Sequence, residues 1–163
     1  MHRASFSFRT GIACLAFAAC FSTGHAQQAV PIQTAEANHR EGIGVRGYDL
    51  VAYFTQAKAV PGQADITARH AGLTYRFSST ANRDAFVAAP EKYLPQFGGF
   101  CAYGAASGYK ADADPQAFTV REGKLYLNYN SKVKNTWEAD MAGLIARAEA
   151  RWPETAKADK MFK

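Results

Sequence analysis

Gly72-Leu73-Thr74-Tyr75-Arg76-Phe77-Ser78-Ser79 changes its hydrophobic rhythm at its far end. Leu73, Tyr75 and Phe77 alternate with Thr74 and Arg76, the period of two expected of a half-buried strand. Ser79 or Thr80 then offers a side-chain oxygen to cap a short helix reaching Ala89, with Ala85, Phe86 and Ala89 on its inner face. Pro90 stops that helix, because it has no N–H to give and crowds the preceding turn, and Glu91 to Leu94 makes one more turn. A strand running straight into a helix, with further strands and helices on either side, predicts an α+β domain.

Downstream, Phe118-Thr119-Val120-Arg121 and Lys124-Leu125-Tyr126-Leu127 flank Glu122-Gly123, and a two-residue loop ending in Gly predicts a hairpin. Beyond it, Asn135 and Glu138 have capping-box spacing. Trp137, Met141, Leu144, Ile145, Ala148 and Trp152 recur on one helical face, and Pro153 is expected to end the segment. Upstream, Leu50 to Phe54 (LVAYF) reads as a short buried strand after the Gly47-Tyr48-Asp49 turn, and Pro61-Gly62 breaks the chain. The expected architecture is a small antiparallel sheet with a hairpin, one short helix and a longer C-terminal amphipathic helix, all within residues 40–153.

The flanks read differently. Residues 1–26 combine a basic start (Arg3, Arg9), an apolar run Gly11 to Phe21, and Gly24-His25-Ala26 ahead of a polar stretch, the three parts of a secretory signal. The apolar run is too short to span a bilayer, which takes about 20 residues. The expected location is therefore periplasmic or secreted. Phe17-Ala18-Ala19-Cys20 offers an alternative, a lipid anchor on Cys20. Residues 27–39 are expected to be a flexible leader and 154–163 a short basic tail. No later segment is apolar enough to cross a membrane.

In the whole chain of 163 residues, 48% hydrophobic and 13% aromatic residues fit one globular domain rather than a disordered chain. Two of the 19 basic residues fall in residues 1–26, so the remainder balances 17 basic against 14 acidic side chains. The two signs are interleaved, without the basic stripe that a nucleic-acid surface would show, so nucleic acid is not an expected partner.

Gly72-Leu73-Thr74-Tyr75-Arg76-Phe77-Ser78-Ser79, followed by Phe86 and Pro90-Glu91-Lys92-Tyr93-Leu94, resembles the YHS domain and its pattern G-x-x-Y-x-F-x-S, Phe, P-E-K-Y. Three further segments resemble the exported bacterial branch of that family: Gly47-Tyr48-Asp49-Leu50-Val51-Ala52-Tyr53-Phe54, Gln96-Phe97-Gly98-Gly99-Phe100-Cys101-Ala102 and Gly123-Lys124-Leu125-Tyr126-Leu127-Asn128-Tyr129-Asn130. The resemblance covers about Gly47 to Pro153. It implies a small module found beside heavy-metal transporters and in some oxygenase subunits, often with cysteines suspected of binding metal. This chain departs from that metal-associated form, with Ala52 where the first cysteine would fall and no cysteine from Ser78 to Asn82.

With Cys14 and Cys20 in the expected signal, Cys101 is the one cysteine left, and it follows the flexible pair Gly98-Gly99. It can be a metal ligand, a reactive thiol, or a small buried hydrophobe. Cys101 with His70 is the candidate metal pair, for copper or zinc; His39 would make a third ligand. Met141 and Met161 could add thioethers for Cu(I), yet one belongs to the helix stripe and the other to the tail. Tyr48, Asp49 and Tyr103 are the candidate pocket residues, although a tyrosine-capped turn also explains Tyr48-Asp49. Asp112-Ala113-Asp114-Pro115 reads as a turn, and the sequence has no phosphate loop, HExxH or dinucleotide fingerprint. Three functions remain open: a non-catalytic module that binds or senses a metal ion or small ligand, a thiol redox protein using Cys101, and an interaction domain.

Overall fold

A computed structural model describes residues 37–158 and 161–162. The signal expected over 1–26, the alternative anchor at Cys20 and residues 27–36 lie outside the described residues. The chain is α+β. Strands β1 (His39–Arg40) and β2 (Ile43–Gly44) open it, followed by helix α1 (Leu50–Thr55), strands β3 (Gln63–His70) and β4 (Leu73–Phe77), and helices α2 (Thr80–Ala88) and α3 (Pro90–Tyr93). Helix α4 (Ala102–Ser107), strand β5 (Lys110–Ala111), the pair β6 (Asp114–Arg121) and β7 (Lys124–Asn128), helices α5 (Ser131–Ala139) and α6 (Met141–Thr155), and strand β8 (Met161–Phe162) complete it.

The strand-to-helix switch forms as its residues dictate. Leu73, Tyr75 and Phe77 are buried along β4, Ser79 Oγ accepts the N–H of Asn82, and Pro90 opens α3. β4 pairs antiparallel with β3 and parallel with β2, in the order β1-β2-β4-β3. One contact in the sheet is thus parallel, where an antiparallel sheet was expected. The β6–β7 hairpin turns on Glu122 and Gly123, both at positive φ, the twist that matches paired strands.

Four expectations are corrected. Leu50 to Phe54 is helix, not strand: Asp49 caps it, and Leu50, Val51, Ala52 and Tyr53 are all buried. A short run buried on every side has no period by which strand and helix could be told apart. Second, the helix after the hairpin begins at Ser131, capped by Asn130 Oδ1 on the N–H of Val133 at 2.9 Å. Glu138 serves elsewhere, paired with Lys134 at 2.9 Å and accepting from Thr119 Oγ1. Third, the apolar stripe is divided between two helices, broken and recapped at Asp140, and Pro153 lies inside the last turn of α6. Fourth, the domain is wider than 40–153. Asn38 is already bonded to Gly98, the side chains of Thr155 and Ala156 are buried, and β8 pairs with β5.

Two apolar clusters hold the chain together. One packs α1, β4, α2 and the inner face of the hairpin around Leu50, Phe77, Phe86 and Leu125. The other gathers α4, α5 and α6 around Trp137, Ala105, Leu144 and Ala148, with Phe97 and Tyr126. Among the described residues no helix is long and apolar enough to cross a membrane.

Candidate functional site

Cys101 precedes α4 and is 2% exposed. Its N–H donates to Ala111 O at 3.0 Å, and its Sγ accepts from the N–H of Gly104 at 3.5 Å and lies 3.8 Å from Asn128 Oδ1. Burial pushes the thiol's pKa up, and the backbone N–H groups of Gly104, Tyr129 and Tyr103 offset that only in part. Asn128 is itself fully buried; its Oδ1 also takes the N–H of Tyr103, and its Nδ2 has no partner among the described residues.

His70 ends β3 elsewhere. Its Nε2 is 3.2 Å from Glu91 Oε1, its ring stands edge-on to Phe86, and it borders a small apolar cavity with Leu73, Tyr75 and Leu94. Cys101 and His70 have no hydrogen-bond or ring partner in common. His39 Nδ1 accepts the N–H of Gly42 within its own turn, Met141 packs in the second core, and Met161 lies on β8. Among the described residues no three His, Cys, Asp or Glu side chains gather as a metal ion requires. The polar atoms nearest the Cys101 sulfur are the Gly104 N–H and Asn128 Oδ1, at 3.5 and 3.8 Å.

The three pocket candidates are likewise dispersed. Asp49 is fully buried as a structural cap. The Tyr48 hydroxyl accepts a long bond from Gln116 Nε2 at 3.5 Å, and Tyr103 gives its backbone N–H to Asn128.

The structure instead gathers charge at Asp112, within the segment that reads as a plain turn. Two left-handed turns meet there. Val45, Arg46 and Gly47 have φ of 48°, 50° and 79°, and Phe97, Gly98 and Gly99 have 53°, 60° and 77°. Left-handed backbone costs a residue with a side chain roughly 1–2 kcal/mol, and Val45, branched at Cβ, is the least suited of the six. Backbone bonds from Tyr48 to Val45 and from Gly62 to Gly47 hold the first turn, and bonds from Asn38 to Gly98 and Gly99 hold the second. Asn38 Nδ2 also donates to Asp112 Oδ1 at 3.0 Å, while Arg40 (2.9 Å) and Arg46 both reach Asp112 Oδ2. One carboxylate thereby joins β1, both turns and the chain leaving β5.

Burial alone would raise the pKa of Asp112, but the bonds from Asn38, Arg40, Arg46 and the N–H of Ala113 outweigh it and hold it at about 2. The folded carboxyl therefore binds its proton more weakly than the unfolded one. Its stabilisation is complete above the ordinary value and is lost as pH falls through about 2. Asp112→Asn should therefore lower the urea midpoint near neutral pH, and its gap from the parent protein should close toward about pH 2. A gap that does not change with pH would show that the charge of Asp112 contributes nothing.

An open cleft of about 620 Å³ lies over this hub, lined by Arg40, Arg46, Asp112, Asp114, Tyr129, Met161 and Phe162. Five large hydrophobic side chains are exposed among the described residues, and three of them, Tyr129, Met161 and Phe162, line this cleft. Cys101 is close beneath it, bonded to Ala111 just before Asp112 and reached by the N–H of Tyr129. No sequence motif announces the cleft, because its residues come from four separate segments; the one available sign was the positive-φ tendency of Gly47 and Gly98-Gly99. Comparison of the chain with protein-family models, with curated proteins and with solved structures finds no match.

Proposed function

We propose that this chain is a non-catalytic binding module of an exported protein related to the YHS family, and that it takes a small ligand in the cleft above Asp112. One observation carries the reading: charged side chains of both signs and three of the five exposed large hydrophobics share one concave surface. Exposed apolar side chains cost solubility when clustered, and a cluster rimmed by convergent polar groups is the usual form of a ligand site. The secretory leader and the family motifs support export and kinship. The reading of Cys101 and His70 as a copper or zinc pair has less support, since Glu91 engages His70 and the thiol is enclosed. A redox role for Cys101 is opposed by the same enclosure.

The test is a fragment screen read by backbone amide NMR on the full chain. Shifts grouped on Arg40, Arg46, Asp112, Asp114, Tyr129 and Phe162 are expected. Shifts grouped elsewhere, or none from a broad fragment set, would overturn the proposal.

A further inference from the structure

The cleft's charges do not cancel locally. Arg40 and Arg46 share the single carboxylate of Asp112, which leaves one positive charge in excess. Asp114 lines the same cleft and has no cationic partner among the described residues; its Oδ1 accepts only the N–H of Gln116, at 2.9 Å. One unmatched positive and one unmatched negative charge therefore face the same space. Beside them stand the exposed faces of Tyr129, Met161 and Phe162. A simple anion would leave Asp114 unanswered, a simple cation would leave the arginines in excess, and an uncharged apolar ligand would leave both.

Building on the binding-module reading, we infer that the ligand is a small zwitterion with an apolar or aromatic group, of the free α-amino acid class. Its carboxylate sits with Arg40 and Arg46, its ammonium with Asp114, and its side chain against Tyr129 and Phe162. Arginine suits the first role because its planar fork can hold Asp112 and a second carboxylate together. The volume of about 620 Å³ accommodates an aromatic amino acid with room for water.

Calorimetric titration of the full chain with L-phenylalanine, phenylacetate and phenethylamine tests this. L-Phenylalanine is expected to bind, with each singly charged analogue weaker by about tenfold or more, the scale of one charge-assisted hydrogen bond. Arg46→Met should weaken L-phenylalanine by a similar factor. Because Arg46 also helps hold the strained turn, Asp114→Asn serves as the second variant. Its amide oxygen can still accept from Gln116, so the fold is kept while the preference for L-phenylalanine over phenylacetate is lost. Failure of L-phenylalanine to bind, equal binding of phenylacetate, or an unchanged preference in Asp114→Asn would overturn the inference. Fragments that still shift the cleft amides in that case would leave the binding module standing, whereas a silent cleft would remove both.

Discussion

Asp49→Ala is expected to lower the stability of the domain by about 3–5 kcal/mol, since several buried donors lose their acceptor at about 1–3 kcal/mol each. The carboxylate is fully buried and accepts five bonds. Oδ1 takes the N–H groups of Val51 and Ala52, at 2.9 and 3.2 Å. Oδ2 takes the N–H and hydroxyl of Ser78 and the Asn82 amide, at 2.8, 2.6 and 2.7 Å. These donors belong to the first turn of α1, the end of β4 and the first turn of α2, so one side chain fastens three elements of the first core. Alanine would leave these donors without the acceptor that joins them.

For a domain of this size, that loss corresponds to a fall in Tm of roughly 10–20 °C. Asp49→Asn should lie between the two, since its oxygen can serve one set of donors while its NH₂ faces the other. Ser78→Ala removes a hydroxyl donor and should cost about 1–2 kcal/mol, because the carboxylate keeps its other bonds. Thermal melts of the three variants decide the matter. If Asp49→Ala melted within about 2 °C of the parent protein, the network would hold nothing together.

Asp49 also shows how far the sequence can be read. A tyrosine-capped turn is the sequence's expectation at Tyr48-Asp49, whereas Asp49 supplies the cap, and the run after it reads as a strand because burial on all sides erases the hydrophobic period. Where one face stays in water the period survives, as in β4 and in the β6–β7 hairpin, and both were legible. β3 was not. Its eight residues are exposed or half-buried at the edge of the sheet, so no apolar alternation was needed to place it there. Asn135 and Glu138 satisfied a local capping rule, yet Asn130 won because the hairpin ends at Asn128 and the chain turns into helix at once. The cleft was least legible of all. Asp112 and Asp114 are unremarkable in a turn until Arg40 and Arg46, more than sixty residues earlier, are folded against Asp112.

The thiol of Cys101 should react with a disulfide reagent such as DTNB at least about a thousandfold more slowly in the native protein than in urea. The argument is one of access and charge. A residue 2% exposed presents almost no surface to attack, and attack requires a thiolate that burial disfavours. The N–H groups of Gly104, Tyr129 and Tyr103 do favour the thiolate, but the residue is buried between the start of α4 and the end of β7. Reaction must therefore wait for local or global opening. Proteins with ordinary stability hold open forms at fractions of roughly 10⁻³ to 10⁻⁶, which sets the expected protection. The measurement also separates the remaining readings. If protection rises with stabilising osmolyte and falls in Asp49→Ala, opening is global and Cys101 is a core residue beneath the cleft. If protection is large but insensitive to both, the opening is local, and the start of α4 moves independently of the first core. Stoichiometric labelling within seconds in native buffer would overturn the enclosure. Soft-metal and redox chemistry at Cys101 would then regain their claim over the charged cleft above it.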